Sequence, residues 1–304
     1  MKLTKITLAI GFLAMAGFAS AQSNVTLYGV ADVGLTKITG QKTRLISSGT
    51  QNNATSRWGM RGNEDLGGGL KASFNFEAQL SLLDGASAAN TFARQANMSL
   101  DGEFGTLKAG RALTPSWYGV MAWELTASAN YSVVNSQFGY GGVNSRHNAE
   151  VSYTSPNFGG LTVTVGHLFA PDNGNVAKND INIIYKAGPL GASLVYNKTE
   201  NKGKNMALGA AYHFGKFKLA GSWQDATGGG LGKGFTMGGS VPMGAVTLTA
   251  DLARDTQKKD TDAMLEAKYA LSKRTSVYGV LLRNGAGKTK NAVNSTMVGL
   301  RHNF

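Results

Sequence analysis

The sequence predicts an all-β chain, a 16-stranded antiparallel transmembrane β-barrel with a long third loop folded inward. Three observations carry that expectation. The chain opens on an export leader, segments of about ten residues that alternate apolar with polar recur to the last residue, and short turns alternate with long polar loops.

The leader is residues 1–21. Lys2 and Lys5 precede the apolar run ITLAIGFLAMAGF, and Ala19-Ser20-Ala21 supplies a small-residue cleavage site before Gln22. This reads as a secretory signal peptide, leaving 22–304 as one barrel domain. After Gln22 no stretch approaches the roughly 18 apolar residues of a spanning helix. There is no cysteine, which excludes disulfides and thiolate-bound metals. Glycine is abundant at 41 residues and proline scarce at five, a balance that suits many turns and barrel bends. The formal charge is +12, or +10 once Lys2 and Lys5 leave with the leader. The basic residues stand singly on alternating segments and form no basic helix. They suit a field inside a lumen better than a nucleic-acid partner, and none is expected.

The strands are expected, in order, at 24–39, 52–63, 69–82, 91–103, 105–112, 145–157, 159–170 and 177–188, then at 189–201, 203–214, 216–226, 233–242, 243–254, 259–271, 272–285 and 292–304. In the third, Ala72, Phe74, Phe76, Ala78 and Leu80 share one face and Lys71, Ser73, Asn75, Glu77 and Gln79 the other. In the seventh, Leu161, Val163, Val165 and Phe169 oppose Thr162, Thr164 and Gly166. Val246, Leu248, Ala250 and Leu252 oppose Thr247, Thr249 and Asp251 in the thirteenth, and Leu265, Ala267 and Tyr269 oppose Met264, Glu266 and Lys268 in the fourteenth. Short turns fall at EDLGG, DGEFG, NFGG, AGPLG, FGK, PMG and LSKR. Between them lie loops such as TGQKTRLISSGTQNN, DGASAANT and RNGAGKTKNAVN. That asymmetry fits turns on the periplasmic side, and an even strand count brings both ends of the barrel there. Aromatics near strand ends, among them Tyr28, Trp58, Phe104, Tyr153, Phe158, Tyr212, Phe214 and Phe304, are expected to form girdles at the lipid interfaces. A soluble sandwich would show the same alternation, but export and strand number favour the membrane.

Residues 112–143 break the rhythm. They hold no basic residue and one acid, Glu124, together with Trp117, Tyr118, Trp123, Tyr131, Phe138 and Tyr140. A connection of that length points to a functional loop. Its aromatic content and lack of charge fit a segment folded in to narrow a lumen better than an exposed surface loop.

Several stretches carry a family resemblance: SNVTLYGVADVGL (Ser23–Leu35), SRWGMRGNEDLGGGLKASFNFEAQL (Ser56–Leu80), GTLKAGRALTP (Gly105–Pro115), RHNAEVSYTSPNFGGL (Arg146–Leu161) and the terminal GLRHNF (Gly299–Phe304). They span the chain after the leader, and together they resemble the general porins of Gram-negative bacteria, of the neisserial and β-proteobacterial type. The resemblance implies a water-filled channel for passive diffusion of small hydrophilic solutes and ions. It implies a homotrimer in the outer membrane of a Gram-negative bacterium, in contact with the lipid bilayer and lipopolysaccharide, with the third external loop inside each pore. It also implies that the outer-membrane barrel-assembly machinery reads the carboxyl-terminal Phe304.

The same resemblance implies a ladder of arginines on the wall opposite the loop, at Arg57, Arg94 and Arg146. Alternation agrees for two of them. Arg57 shares a face with Gly59 and Arg61 against Trp58 and Met60, and Arg146 shares one with Glu150 and Ser152 against Val151 and Tyr153. Arg94 has the parity of Ala96, Met98 and Leu100, so its inward place rests on the resemblance. Many such porins carry several carboxylates on the inward loop; here Glu124 is the only one available. The wall arginines, with Lys108 and Lys71, should therefore dominate the constriction, and one sign of charge in a narrow lumen concentrates counter-ions. Anion preference follows, with small anionic solutes as partners. The rival role is structural: the arginines pair with Glu77, Glu150 or Glu124 and staple the wall.

No enzyme motif is present. His147, His167, His213 and His302 are dispersed, three of them on apolar parity, which suits interface residues. There is no His-Glu-x-x-His, Walker loop or Gly-x-Ser-x-Gly. No catalytic residue, cofactor or metal is expected. The alternative within the same fold is a substrate-specific anion channel; the alternative outside it is a non-conducting barrel enzyme or adhesin.

Overall fold

A computed structural model describes residues 24–285 and 291–304; the expected leader, residues 1–21, lies outside them. Seventeen hydrogen-bonded segments run β1 (Asn24–Ile38), β2 (Arg44–Ser47), β3 (Arg57–Gly67), β4 (Leu70–Gln79), β5 (Gln95–Gly102), β6 (Gly105–Leu113), β7 (Arg146–Thr154), β8 (Leu161–Leu168) and β9 (Lys178–Ala187). They continue through β10 (Leu190–Thr199), β11 (Lys204–His213), β12 (Lys218–Asp225), β13 (Lys233–Met243), β14 (Val246–Asp255), β15 (Asp260–Ala270), β16 (Thr275–Asn284) and β17 (Val293–Asn303). Neighbours in sequence pair antiparallel, except that β2 and β3 both pair with β1, and β1 pairs with β17 from Val30↔Asn303 to Ile38↔Ser295, which closes the barrel.

The barrel has sixteen staves, because β2 and β3 together make one. β3 pairs with Asn24–Val30 of β1, and β2 with Val33–Thr36. The stretch TGQKTRLISSGTQNN, expected to be all loop, thus contains a short strand. Its four residues hold one buried side chain, Ile46, too little for a periodicity signal. The sixteen expected strands each have a counterpart.

Burial is inverted relative to a soluble sheet. In β15, Leu265 is 50% exposed while its neighbours Met264 and Glu266 are 4% and 2% exposed. Met98, Leu208, Met237, Leu281 and Val298 are likewise exposed on their strands. A continuous apolar outer band with the polar face turned inward is a lipid-facing surface. Closure leaves no unpaired edge in lipid. Leu265→Arg, at mid-strand, should cost about 2–4 kcal/mol of unfolding free energy in lipid vesicles, measured by denaturant titration.

Aromatics gather at the turn side. Tyr153 Oη donates to Phe104 O at 2.6 Å, and Phe214 stacks on Phe217 with centroids 4.9 Å apart. Phe304 ends the last stave: Gly29 N donates to Phe304 O at 3.0 Å and Phe304 N to Gly29 O at 3.1 Å. Its ring lies where a Cβ on Gly29 would come within 2.3 Å, so the glycine is what lets the terminal ring cover the seam.

Candidate functional site

The long segment folds into two short helices, α1 (Pro115–Met121) and α2 (Val133–Phe138). Thr114 caps α1, its Oγ1 accepting from Trp117 N at 2.9 Å, and Pro115 occupies the first turn, where a missing N–H costs nothing. Ser132 caps α2 through Asn135 N.

Both helices lie on the polar parity of the strands. Asn182 Nδ2 of β9 donates to Pro115 O at 2.6 Å, and Ser193 Oγ of β10 donates to Gly119 O at 2.6 Å. Trp123, 1% exposed, donates from Nε1 to Ser193 Oγ at 3.1 Å. Around α2, Tyr131, Val133 and Phe138 form a cluster with Met264, Tyr278, Val280 and Met297. Tyr131 Oη also donates to Glu266, and Ser136 Oγ to Asp262 Oδ2 at 3.0 Å.

Across from this segment is a cavity of about 280 Å³. Its charged lining residues are Arg57, Arg94, Arg146, Arg301 and Glu77; the long segment contributes Trp117, Ser128, Asn130 and Tyr140. Glu77 is 4% exposed and gathers three of the arginines. Its Oε1 lies 2.6 Å from Arg94 Nε and 3.8 Å from Arg146 Nη2, and its Oε2 lies 3.3 Å from Arg57 Nε. Tyr28 Oη adds a hydrogen bond to Oε2 at 3.1 Å. Arg301 is held separately, its Nη1 donating to Asn53 Oδ1 at 2.6 Å. Four guanidinium groups thus line the cavity with one carboxylate, which pairs with three of them.

Three of these arginines stand at or just outside strand ends, where alternation is a weak guide. Arg57 and Arg146 are the first residues of β3 and β7. Arg94 precedes β5, and its N–H donates to Glu77 O at 3.1 Å, so the parity of Met98 does not bind it. A bulge interrupts β7: Ala149 has φ 46°, and the pairing with β6 slips between Gly110 and Ala112. His147 therefore does not sit on the outer face, as its parity suggested. It is buried with Nδ1 2.6 Å from Glu150 Oε2.

The other expected residues are more dispersed. Glu124 is 4% exposed and does not line the cavity. Its carboxylate accepts from Thr126 N at 2.8 Å, Ser128 N at 2.9 Å, Thr126 Oγ1 and Ser132 Oγ, all within its own segment. Lys108 lines a second cavity of about 340 Å³ with Arg61, and its Nζ is 5.8 Å from the Tyr118 ring centroid. Among the described residues no carboxylate lines that cavity. Lys71 pairs in register with Asp65 and Asp101 beside a turn and lines neither cavity. A third cavity, of about 660 Å³, carries Arg111 and Lys178 beside Arg146. Arg301 and Arg111 were not singled out by the sequence. For Arg301 a signal existed: it has the inward parity of Met297 and Gly299, against Val298 and Leu300.

A family model described as Gram-negative porin matches residues 7–289. The chain belongs to the Gram-negative porin family. The porin is 33% identical to outer membrane porin protein 32 of Delftia acidovorans over 91% of this chain and 88% of that one. It is 25% identical to the major outer membrane protein P.IB of Neisseria meningitidis serogroup B, over the whole of both. Among solved structures, the anion-selective porin from Comamonas acidovorans superposes with a TM-score of 0.75 and 28% identity, covering 93% of this chain and all of that one. The porin is a channel protein of the outer membrane, not an enzyme.

Proposed function

We propose that the 280 Å³ cavity is the eyelet of a general diffusion pore, narrowed by residues 112–143, and that Arg57, Arg94, Arg146 and Arg301 give it anion preference. The observation that carries this reading is the imbalance of four guanidinium groups against one buried carboxylate. Glu77 staples three of the arginines, so the structural and electrostatic roles coexist, and a net positive field remains. Lys108 and Arg61 continue it toward the turns, and Arg111 and Lys178 continue it toward the loops. Field lines confined by low-dielectric walls raise the local concentration of anions and exclude cations. The anion selectivity named for the Comamonas porin supports the same sign here. The test is single-channel recording in planar bilayers: an ohmic step conductance, with a zero-current potential of chloride sign under a KCl gradient, is expected.

A substrate-specific anion channel is favoured by one observation: Glu77 and Asn53 fix the guanidinium planes, as in a preformed carboxylate or phosphate site. Saturable current block by one anion, absent for others of equal size and charge, would select that reading.

The apolar outer band suits lipid, lipopolysaccharide and the neighbouring subunits of a homotrimer. Phe304 is proposed as the residue the barrel-assembly machinery reads, in keeping with its exposed ring at the closing seam. Deleting it should lower the yield of heat-modifiable oligomer severalfold, scored on seminative gels.

A further inference from the structure

The inner wall is not uniformly basic. Asp180, Asp251, Asp262 and Glu266 sit on the inward parity of β9, β14 and β15, and all four are 6% exposed or less. Each meets the long segment. Ser116 Oγ donates to Asp180, Tyr131 Oη to Glu266, and Ser136 Oγ to Asp262. Leu125 lies beside Asp251: a Cβ on Gly238 would come within 2.8 Å of Leu125 Cδ1 and 2.7 Å of Asp251 Oδ1. Glu266 also has Lys268 at 3.3 Å, but the covering segment itself holds no lysine or arginine. Its contacts to these acids are hydroxyls and a methyl group, so it cancels no formal charge.

We propose that residues 112–143 act as an electrostatic insulator, setting ion selectivity by keeping the carboxylates of β9, β14 and β15 out of contact with the lumen. The inference rests on the constriction reading above. A helix is about 10 Å across, close to the Debye length at 0.1 M salt. An ion held that much farther from a carboxylate feels it roughly tenfold less than one in contact at about 4 Å. The arginines opposite have no such cover. One lumen with acids on one wall and arginines on the other thereby becomes anion-selective, and the residues responsible are neutral: Ser116, Leu125, Tyr131 and Ser136.

The absence of cysteine gives a direct test. Asp262→Cys and Glu266→Cys, with Thr55→Cys as the cavity-lining reference, are reconstituted in bilayers and exposed to a small anionic methanethiosulfonate. Thr55→Cys should react about tenfold faster than the other two, with a fall in current. In parallel, the near-isosteric Asp262→Asn and Glu266→Gln should change the chloride-to-potassium permeability ratio less than twofold, well below the change on Arg57→Gln. Equal labelling rates, or a shift from either isostere as large as that of Arg57→Gln, would overturn the insulator. Labelling of Thr55→Cys with no effect on current would remove the constriction reading itself, and the insulator with it.

Discussion

Glu77→Gln is expected to lower the unfolding free energy of the barrel by about 3 kcal/mol and, in the same protein, to raise its preference for chloride. Glu77 is the common counter-ion of Arg57, Arg94 and Arg146, at 3.3, 2.6 and 3.8 Å. Glutamine keeps the shape and some hydrogen bonding, but it leaves three neighbouring guanidinium groups without a compensating charge. Their side chains are only 13–22% exposed, so water restores part of the loss and the low end of the range for broken buried pairs applies. The charged lining of the cavity is then four arginines and no carboxylate. Denaturant unfolding in vesicles measures the first effect and the zero-current potential the second. A stable variant with unchanged selectivity would mean that Glu77 is not the hub of the cluster.

Gly209→Val should leave the barrel assembled but release the long segment. Asn205, Ala207, Gly209 and Ala211 form the inward face of β11, a strip narrow enough to seat the segment, while Leu208 between them is 55% exposed outward. A Cβ on Gly209 would fall 2.2 Å from Trp123 Cε2, and the indole cannot retreat while its Nε1 is bonded to Ser193. Valine suits a strand, so the steric cost, about 1–3 kcal/mol for overpacking, falls on the docked segment. The expected result is a larger single-channel conductance. If the segment insulates the acidic wall, the chloride preference falls as well. Unchanged conductance would show that Trp123 does not hold the segment in place.

The fold was legible because period-2 alternation is a local signal that every stave repeats, and the turns separate the repeats clearly. The site was legible only in part. The family resemblance points to Arg57, Arg94 and Arg146, and alternation agrees for Arg57 and Arg146 but not for Arg94. Arg94 lies outside its strand, and Arg146 precedes a bulge at Ala149 that alternation cannot foresee. Glu124, the single acid of the segment, looked like a pole facing the arginines. Four donors from its own backbone and hydroxyls hold it instead, an arrangement set by the local turn after α1. Arg301 stands 244 residues from Arg57 in sequence and reaches the same cavity only because β17 closes on β1. Nor does any sequence window reveal which wall carboxylates the segment covers, since each contact joins it to a strand far along the chain.

The most direct test of the arginine eyelet is the zero-current potential under a KCl gradient, recorded for the native porin and for Arg57→Gln, Arg94→Gln, Arg146→Gln and Arg301→Gln. A unit charge at about 4 Å in water is worth about 1 kcal/mol, so each change should lower the chloride-to-potassium ratio by roughly twofold to fivefold from a chloride-favouring native value. A native potential favouring potassium, or one that none of the four changes moves, would contradict the account.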